Sequence, residues 1–489
     1  MDSEKPLPVR QLFLICAVRF AEPISFSIHV PFIYFMVRDF HVGKDTDIGY
    51  YVSLITSAFA ISQLASAMPI GMISDRIGRR PVVLLGLAVG IISSISFGLS
   101  KTYAWALCTK ILSGLLDNNI AVLKSMVSEL SMGYSETQRA RAFSMLQVVF
   151  GLGGIVGASL GGYLSEPVRK YPAVFGRGGP ITDFLTEFPY FLPCFVASCI
   201  ATVGWIAGFL LLEETLIRKK ESLISQQEDE EGGEEERLLT EEAESGYQTF
   251  GANNDQSNLD PKPSSASFRD ALTPAVIAVC VTYGLAAYQN VFYDELFPTW
   301  SATDRDTGGL GLNSNEIGTA LSFAGMVTLF VQFFMYHRLT GWLGTVRLFR
   351  ASLLLSIFVF GLQGCVRYLH SGDDDGKWLL FAGLLLSIGL KTLCQTVAMT
   401  GSIILVNNAA PRMDALGAIN AFSQCCSSAM RALGPASSGY IYSSTIAAVW
   451  LPFVIRAHLS WILLGCVAAV TFVVSMQLNP AKYLSRRKE

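Results

Sequence analysis

Long apolar runs, each close to the length needed to cross a hydrocarbon core of roughly 30 Å, alternate along this chain with short polar stretches. Twelve of them stand out, at 11–37, 48–70, 82–100, 103–128, 140–164, 189–212, 274–296, 316–337, 347–368, 378–404, 416–442 and 453–477. Each reads as a transmembrane α-helix. The first run is too long for a cleavable signal peptide and is broken by Arg19, Glu22 and Pro23, so it is expected to stay in the mature protein.

Composition agrees: of 489 residues 51% are hydrophobic and only 15% charged, against roughly a quarter charged in ordinary globular domains. The ten cysteines all fall inside or beside apolar runs without metal-ligand spacing, and read as small core residues. If the amino terminus is cytosolic, and residues within three of a span end are counted with the adjoining loop, the inner loops and tails hold 21 of the 36 Lys and Arg and the outer loops 10. The positive-inside rule therefore places both termini in the cytosol.

Residues 213–272, between runs six and seven, carry 16 acidic and 6 basic residues and the stretch EDEEGGEEER. This is the composition of a disordered tether. Without it the remaining chain carries 30 basic against 23 acidic residues, so the membrane body is basic.

A repeat spans the tether. Gly157-x4-Gly162-Tyr163 recurs as Gly434-x4-Gly439-Tyr440, and DRIGRRP at 75–81 has a faded echo in GWLGTVR at 341–347, where Gly344 survives and Gly341 replaces the aspartate. The expected fold is an all-α membrane protein with twelve transmembrane helices in two pseudo-symmetric six-helix bundles. The expected organisation is a bundle at 1–212, the acidic linker at 213–272, a second bundle at 273–478 and a basic cytosolic tail at 479–489.

GMISDRIGRRP at 71–81 is expected to form the cytosolic turn between the second and third spans. Gly71 and Gly78 permit close backbone approach, and Pro81 suits a first helical turn. Asp75 can accept at a helix terminus or pair with an arginine, and Arg76, Arg79 and Arg80 can reach carboxylates or helix carboxyl ends. Such contacts would act as a gate latching the two bundles when the cytosolic side is closed. The plainer alternative is a topology anchor made of positive charge.

G-x-x-x-D-R-x-G-R-R between spans two and three of a six-plus-six chain resembles the signature of the major facilitator superfamily. Gly153, Gly157, Gly161 and Gly162 in the fifth span resemble the glycine motif of proton-linked antiporters, without its usual proline; small-residue helix packing is the alternative. RFAEPI in the first span, Glu213-Glu214-Thr215 after the sixth, and NNAAPRMDALGAIN leading to RALGP resemble the twelve-span drug–proton antiporter group, including fungal members and zinc-induced facilitator-like proteins. What the resemblance implies is a secondary carrier, without specifying its cargo. Members usually carry an arginine where Lys110 stands, which leaves the usual role of that position open here.

Ionisable groups at bilayer depth are costly and mark cavities or partners. Lys110, Gly114, Asp117 and Lys124 fall at steps that stack them on one helical face. Arg19 and Glu22 can pair, with His29 two turns beyond, and Pro23 could form a hinge. Glu22 and Asp117 are the carboxylates well inside the expected spans, and form either a proton switch or permanently neutralised partners of Arg19 and Lys110. Gln147, Gln289, Asn290, Tyr293, Lys391, Gln395, Asn420, Gln424 and Arg431 complete the candidate cargo-binding set, with interhelical hydrogen bonding as the alternative for the lone amides. Five basic residues (Arg19, Lys110, Lys124, Lys391 and Arg431) against two acidic ones suggest a positive cavity suited to an anionic cargo.

The expected function is proton-coupled export of a small organic molecule, with the lipid bilayer, cargo and protons as partners, no nucleic acid, no cofactor and no metal, acting as a monomer. An uptake carrier or a non-transporting receptor on the same fold are the alternatives. No nucleotide loop, nucleophile elbow or metal motif suggests an enzyme. Glu234-x-x-x-Leu238-Leu239 resembles an acidic dileucine signal and would suit a vacuolar or endosomal membrane, with the plasma membrane as the default.

Overall fold

The computed structural model describes residues 8–117, 119–131, 134, 136–176, 178–216, 273–369, 374–409 and 416–478. Nearly all of the expected linker and tail, including the dileucine, lies outside these residues. The principal helices are α1 (Val9–Ser27), α2 (Ile33–Asp39), α3 (Ile48–Ile77), α4 (Arg79–Gly98), α5 (Tyr103–Leu116), α6 (Asn119–Leu130), α7 (Glu136–Leu164), α8 (Phe191–Leu211), α9 (Pro274–Ala302), α10 (Ser314–Phe330), α11 (Thr345–Gln363), α12 (Asp374–Ala409), α13 (Leu416–Ala447) and α14 (Phe453–Ser475).

Among the described residues nine helices are long and apolar enough to cross a membrane. The other three expected spans are the first, fourth and eleventh, and these are the polar ones. The first is two helices, α1 and α2, separated by an unwound stretch at 28–32. The helix passes through Pro23 and gives way five residues later, so the break is not at the proline where a hinge was expected. The fourth is α5 and α6, interrupted at Asp117. The eleventh, α13, is one helix of 32 residues carrying Gln424, Arg431 and many serines.

The glycines of α7 show why the first span can unwind. Phe20 O and Pro23 would crowd any side chain at Gly153, Ile24 O would stand 2.7 Å from a Cβ at Gly157, and the Ile28 carbonyl oxygen, inside the unwound stretch, would overlap one at Gly161. The ladder is thus a bed on which α1 lies backbone to backbone.

The repeat is visible in the backbone. Gly78 breaks the chain between α3 and α4 at φ 109°, and its counterpart Gly344 does so before α11 at φ 73°. At the end of the molecule opposite Gly78, here the distal end, Gly162 of α7 packs on Gly318 of α10, with a Cβ of the first 2.9 Å from Cα of the second. Gly439 of α13 packs on Gly49 O of α3, at 2.6 Å by the same measure. The two repeats therefore meet through equivalent seams, α7 on α10 and α3 on α13.

Hydrogen bonds close both seams at the distal end: Tyr50 N donates to Ser443 Oγ at 2.8 Å, Tyr163 and Thr319 join at 2.8 Å, and Ser159 and Ser322 at 2.6 Å. Lys170, beyond α7, donates to Gly162 O and Ser165 Oγ on its own side and to Ser314 Oγ across the seam. Burial among these neutral partners pushes the Lys170 ammonium down to about 8.

Cys194, Cys280 and Cys394 are buried, but Cys108, Cys199, Cys365, Cys425 and Cys466 are exposed. The expectation of ten core cysteines is corrected: an apolar helix face turned to lipid accepts a thiol as readily as a packed one.

Candidate functional site

The motif differs from the expected turn. Helix α3 runs on to Ile77, so Asp75 and Arg76 are helical, and only Gly78 turns. Gly71 has open space around it and is not needed for close approach; Gly78 is, since the Glu214 carboxylate would stand 2.6 Å from a Cβ there. Glu214 accepts from the backbone N–H groups of Arg79 (2.8 Å) and Arg80 (3.0 Å), capping α4 with a negative charge where the helix dipole favours one. Arg79, 7% exposed, is the hub. It pairs with Asp75 at 2.5 Å and Glu129 of α6 at 3.2 Å, and donates to Ser74 Oγ at 2.6 Å. Thr215 donates to the second oxygen of Glu129. Arg80 reaches Phe209 O of α8, and Arg76 is exposed.

These partners all belong to the first repeat. The expectation that the motif's contacts form only as a latch between bundles is corrected, because they are made inside the first bundle while the hydrogen-bonded seams lie at the other end. Arg79→Ala should destabilise the protein by about 3 kcal/mol or more, since it strands Glu129 without its cation in a nearly buried place. Thermal unfolding of the purified protein would register this, and Arg76→Ala should leave the same curve within about 0.5 kcal/mol.

At mid-depth, Arg19 pairs with Glu22 one turn on, and its guanidinium lies 5.1 Å from the centroid of the Phe150 ring of α7, one turn beyond Gln147. Asp117 interacts electrostatically with Glu22, Arg19 and Lys110. Its backbone oxygen, freed by the break, accepts from Gln63 of α3 at 2.9 Å. Lys110 does not contact Asp117. Its ammonium donates to His29 Nδ1 at 3.2 Å and lies 4.6 Å from the centroid of Phe97.

His29, Lys110 and Asp117 line one cavity of about 40 Å³ together with Thr56, Phe59 and Phe97. The four-residue face expected on the fourth span is corrected in part. Gly114 packs against Phe59 O of α3 instead, and Lys124, beyond the break, interacts with Arg431, Arg19 and Glu22. Arg431 is exposed and donates to Ser428 Oγ at 3.1 Å. Lys124 of the first repeat and Arg431 of the second thus interact electrostatically between the repeats.

A second group sits on α9 and α12. Lys391 donates to Asp294 at 2.7 Å with its ammonium 4.1 Å from the Tyr293 ring centroid, and Gln395 bonds Asn290. The two groups meet through Thr56 of α3, whose hydroxyl lies 3.1 Å from Glu295 Oε1. Tyr283 donates to Gln424 at 3.1 Å. Gln289 turns away to bond Thr471 of α14, so an interhelical hydrogen bond accounts for it. The side chain of Asn420 lies outside the described residues.

Asp294 and Glu295 were missed. The expected span stops at 296, yet α9 continues through Pro298 to Ala302, which places both carboxylates two turns inside a span. The signal was LFPTW, an apolar stretch resuming after the acidic pair. The reading that Glu22 and Asp117 are the only carboxylates inside the spans is therefore corrected. Five basic residues stand against four acidic ones, and Lys391 is neutralised by its neighbour. With Arg19 paired to Glu22 as well, Lys110, Lys124 and Arg431 remain against Asp117 and Glu295, so the positive surplus narrows to a single charge.

Polar spans interrupted within their length, paired seams between two repeats and ionisable groups at bilayer depth in both repeats define a membrane carrier as a class. The chain belongs to the Major Facilitator Superfamily, whose profile matches residues 15–435. It is 30% identical to the major facilitator superfamily multidrug transporter mfsB of Aspergillus fumigatus over 491 residues, covering 90% of this chain and 80% of that one. It is 27% identical to the protein ZINC INDUCED FACILITATOR-LIKE 1 of Arabidopsis thaliana, covering 96% and 91%. Among solved structures a D-xylose-proton symporter superposes with a TM-score of 0.64 at 12% identity, covering 96% and 99%, which shows the shared fold.

Proposed function

We propose that this carrier exports a small organic anion in exchange for protons, by rocking its two repeats about the mid-depth charges. The observation that carries the reading is the electrostatic interaction of Lys124, on the first repeat, with Arg431 on the second. Like charges facing each other across a seam repel, and an anion between them removes the repulsion. Glu22 and Asp117 supply the proton switch: protonation of either is linked to release of the cargo, so that proton and cargo occupy the carrier in turn. The name of mfsB, a multidrug transporter, and that of azaK of Aspergillus niger, an efflux pump 25% identical over 436 residues, support export. The unit is a monomer in the plasma membrane, and no catalytic chemistry is assigned to it.

The test is uptake into proteoliposomes under an imposed pH gradient, run against organic anions, cations and neutral compounds. Anions should be carried, and Arg431→Ala should lower their transport about tenfold, the loss of roughly 1.4 kcal/mol of attraction. Preferential carriage of cations would overturn the reading. So would full anion transport by Arg431→Ala.

A further inference from the structure

Where α3 crosses α9, the hydroxyl of Thr56 stands 3.3 Å from Val52 O of its own helix and 3.1 Å from Glu295 Oε1 of the other repeat. A threonine hydroxyl carries one proton and two lone pairs. It can donate to the Val52 carbonyl or to an ionised Glu295, and not fully to both. If Glu295 carries a proton, the count closes: Glu295 donates to Thr56 Oγ1, and Thr56 donates to Val52 O.

Glu295 also differs from the other mid-depth carboxylates in its company. Glu22 has Arg19, Asp117 has Arg19 and Lys110 in reach, and Asp294 has Lys391. Among the salt bridges described none includes Glu295. Around it are Asp294 and Tyr293 on its own helix, Lys391 of α12 engaged by Asp294, and the hydroxyls of Ser53 and Thr56 on α3. Toward the same end α2 and α13 bring the phenols of Tyr34 and Tyr442, α10 brings Glu316, which pairs with Lys377, and α14 brings His458, stacked on Tyr368. No base among these is in contact with Glu295.

We propose that Glu295 is a further proton-binding residue of the carrier, protonated while the distal seam of α3 on α13, beside which α3 crosses α9, is closed and ionised when that seam parts. Closing the seam then takes up a proton, independently of cargo. Alternating access requires this contact to break, because Thr56 and Glu295 belong to opposite repeats; the inference rests on the carrier reading in that respect alone. Water replaces Thr56 as the partner once the seam opens, and an ionised carboxylate is well served by it. By linkage, acid favours the closed distal end and rising pH favours the open one.

Hydrogen exchange of the full chain in lipid nanodiscs tests this without knowledge of the cargo. Peptides spanning 48–57 and 436–447 report the seam. The comparison runs from about pH 5 to about pH 7, with intrinsic exchange corrected, where Lys170 stays predominantly charged. Wild-type protection at the seam should fall with rising pH, by up to about tenfold per pH unit where Glu295 titrates. Glu295→Gln, which donates permanently, should keep the seam protected throughout. Thr56→Val, of the same shape without the hydroxyl, should lose the protection seen at low pH. A wild-type pH response retained in Glu295→Gln would assign it to other groups and overturn the inference while leaving the carrier reading in place. A pH-independent wild-type seam, or a Thr56→Val protein as protected as wild type, would overturn it equally.

Discussion

Gly161→Ala should yield little or no folded protein. A methyl group there overlaps the backbone oxygen of Ile28, and that oxygen belongs to the stretch where the first span unwinds. Neither side can yield cheaply. Moving Ile28 shifts His29, which holds Lys110, and moving α7 disturbs its distal seam with α10. Overpacking in a well-filled interior commonly costs about 1–3 kcal/mol, and a clash of backbone against Cβ belongs at or beyond the upper end. Gly154→Ala is the control on the same helix, since nothing stands within 4 Å of a Cβ at that position. Size-exclusion profiles of the two variants should differ sharply. Equal, monodisperse yields would show that α1 and α7 are not packed as described.

The second large effect concerns the Arg19–Glu22 pair. Glu22→Gln removes the direct partner of an arginine only 5% exposed, and stranding a buried charge costs about 3 kcal/mol or more. The same substitution removes the proposed proton site, so a single measurement would confuse structural and functional loss. Arg19→Met with Glu22→Gln separates them. Removing both charges should restore most of the thermal stability, as replacement of buried ion pairs by apolar groups often does, while pH-driven accumulation of cargo stays lost. Restored stability together with restored proton-driven transport would place proton coupling elsewhere, and Asp117 would become the first alternative.

Much of this was legible in the sequence because membranes impose simple rules. Span lengths follow from bilayer thickness, and the repeat followed from glycines whose backbone geometry, at Gly78 and Gly344, allows few other residues. The Arg19–Glu22 pair was legible from its spacing. Less legible was anything set by contacts between distant segments. The motif arginines looked like a latch between bundles because the sequence does not show that Glu129 and Glu214 fold back to the same corner. The face drawn on the fourth span assumed one continuous helix, and the interruption at Asp117 has no proline or glycine next to it to announce it. Asp294 and Glu295 looked like the edge of a span because charge usually marks one. Their partners, Lys391 and Thr56, lie 97 and 239 residues away in sequence.

The claim on which the account rests is that Gln147 of α7 and Arg431 of α13, exposed on different repeats, face one water-filled space reached from the end that carries Gly78. Peptide-resolved mass spectrometry of Gln147→Cys and Arg431→Cys, treated with a membrane-impermeant charged thiol reagent from each side of sealed vesicles in turn, measures this directly. The account predicts that both positions react from the Gly78 side, and slowly or not at all from the distal side. Modification of both from neither side, or of one from each, would contradict it.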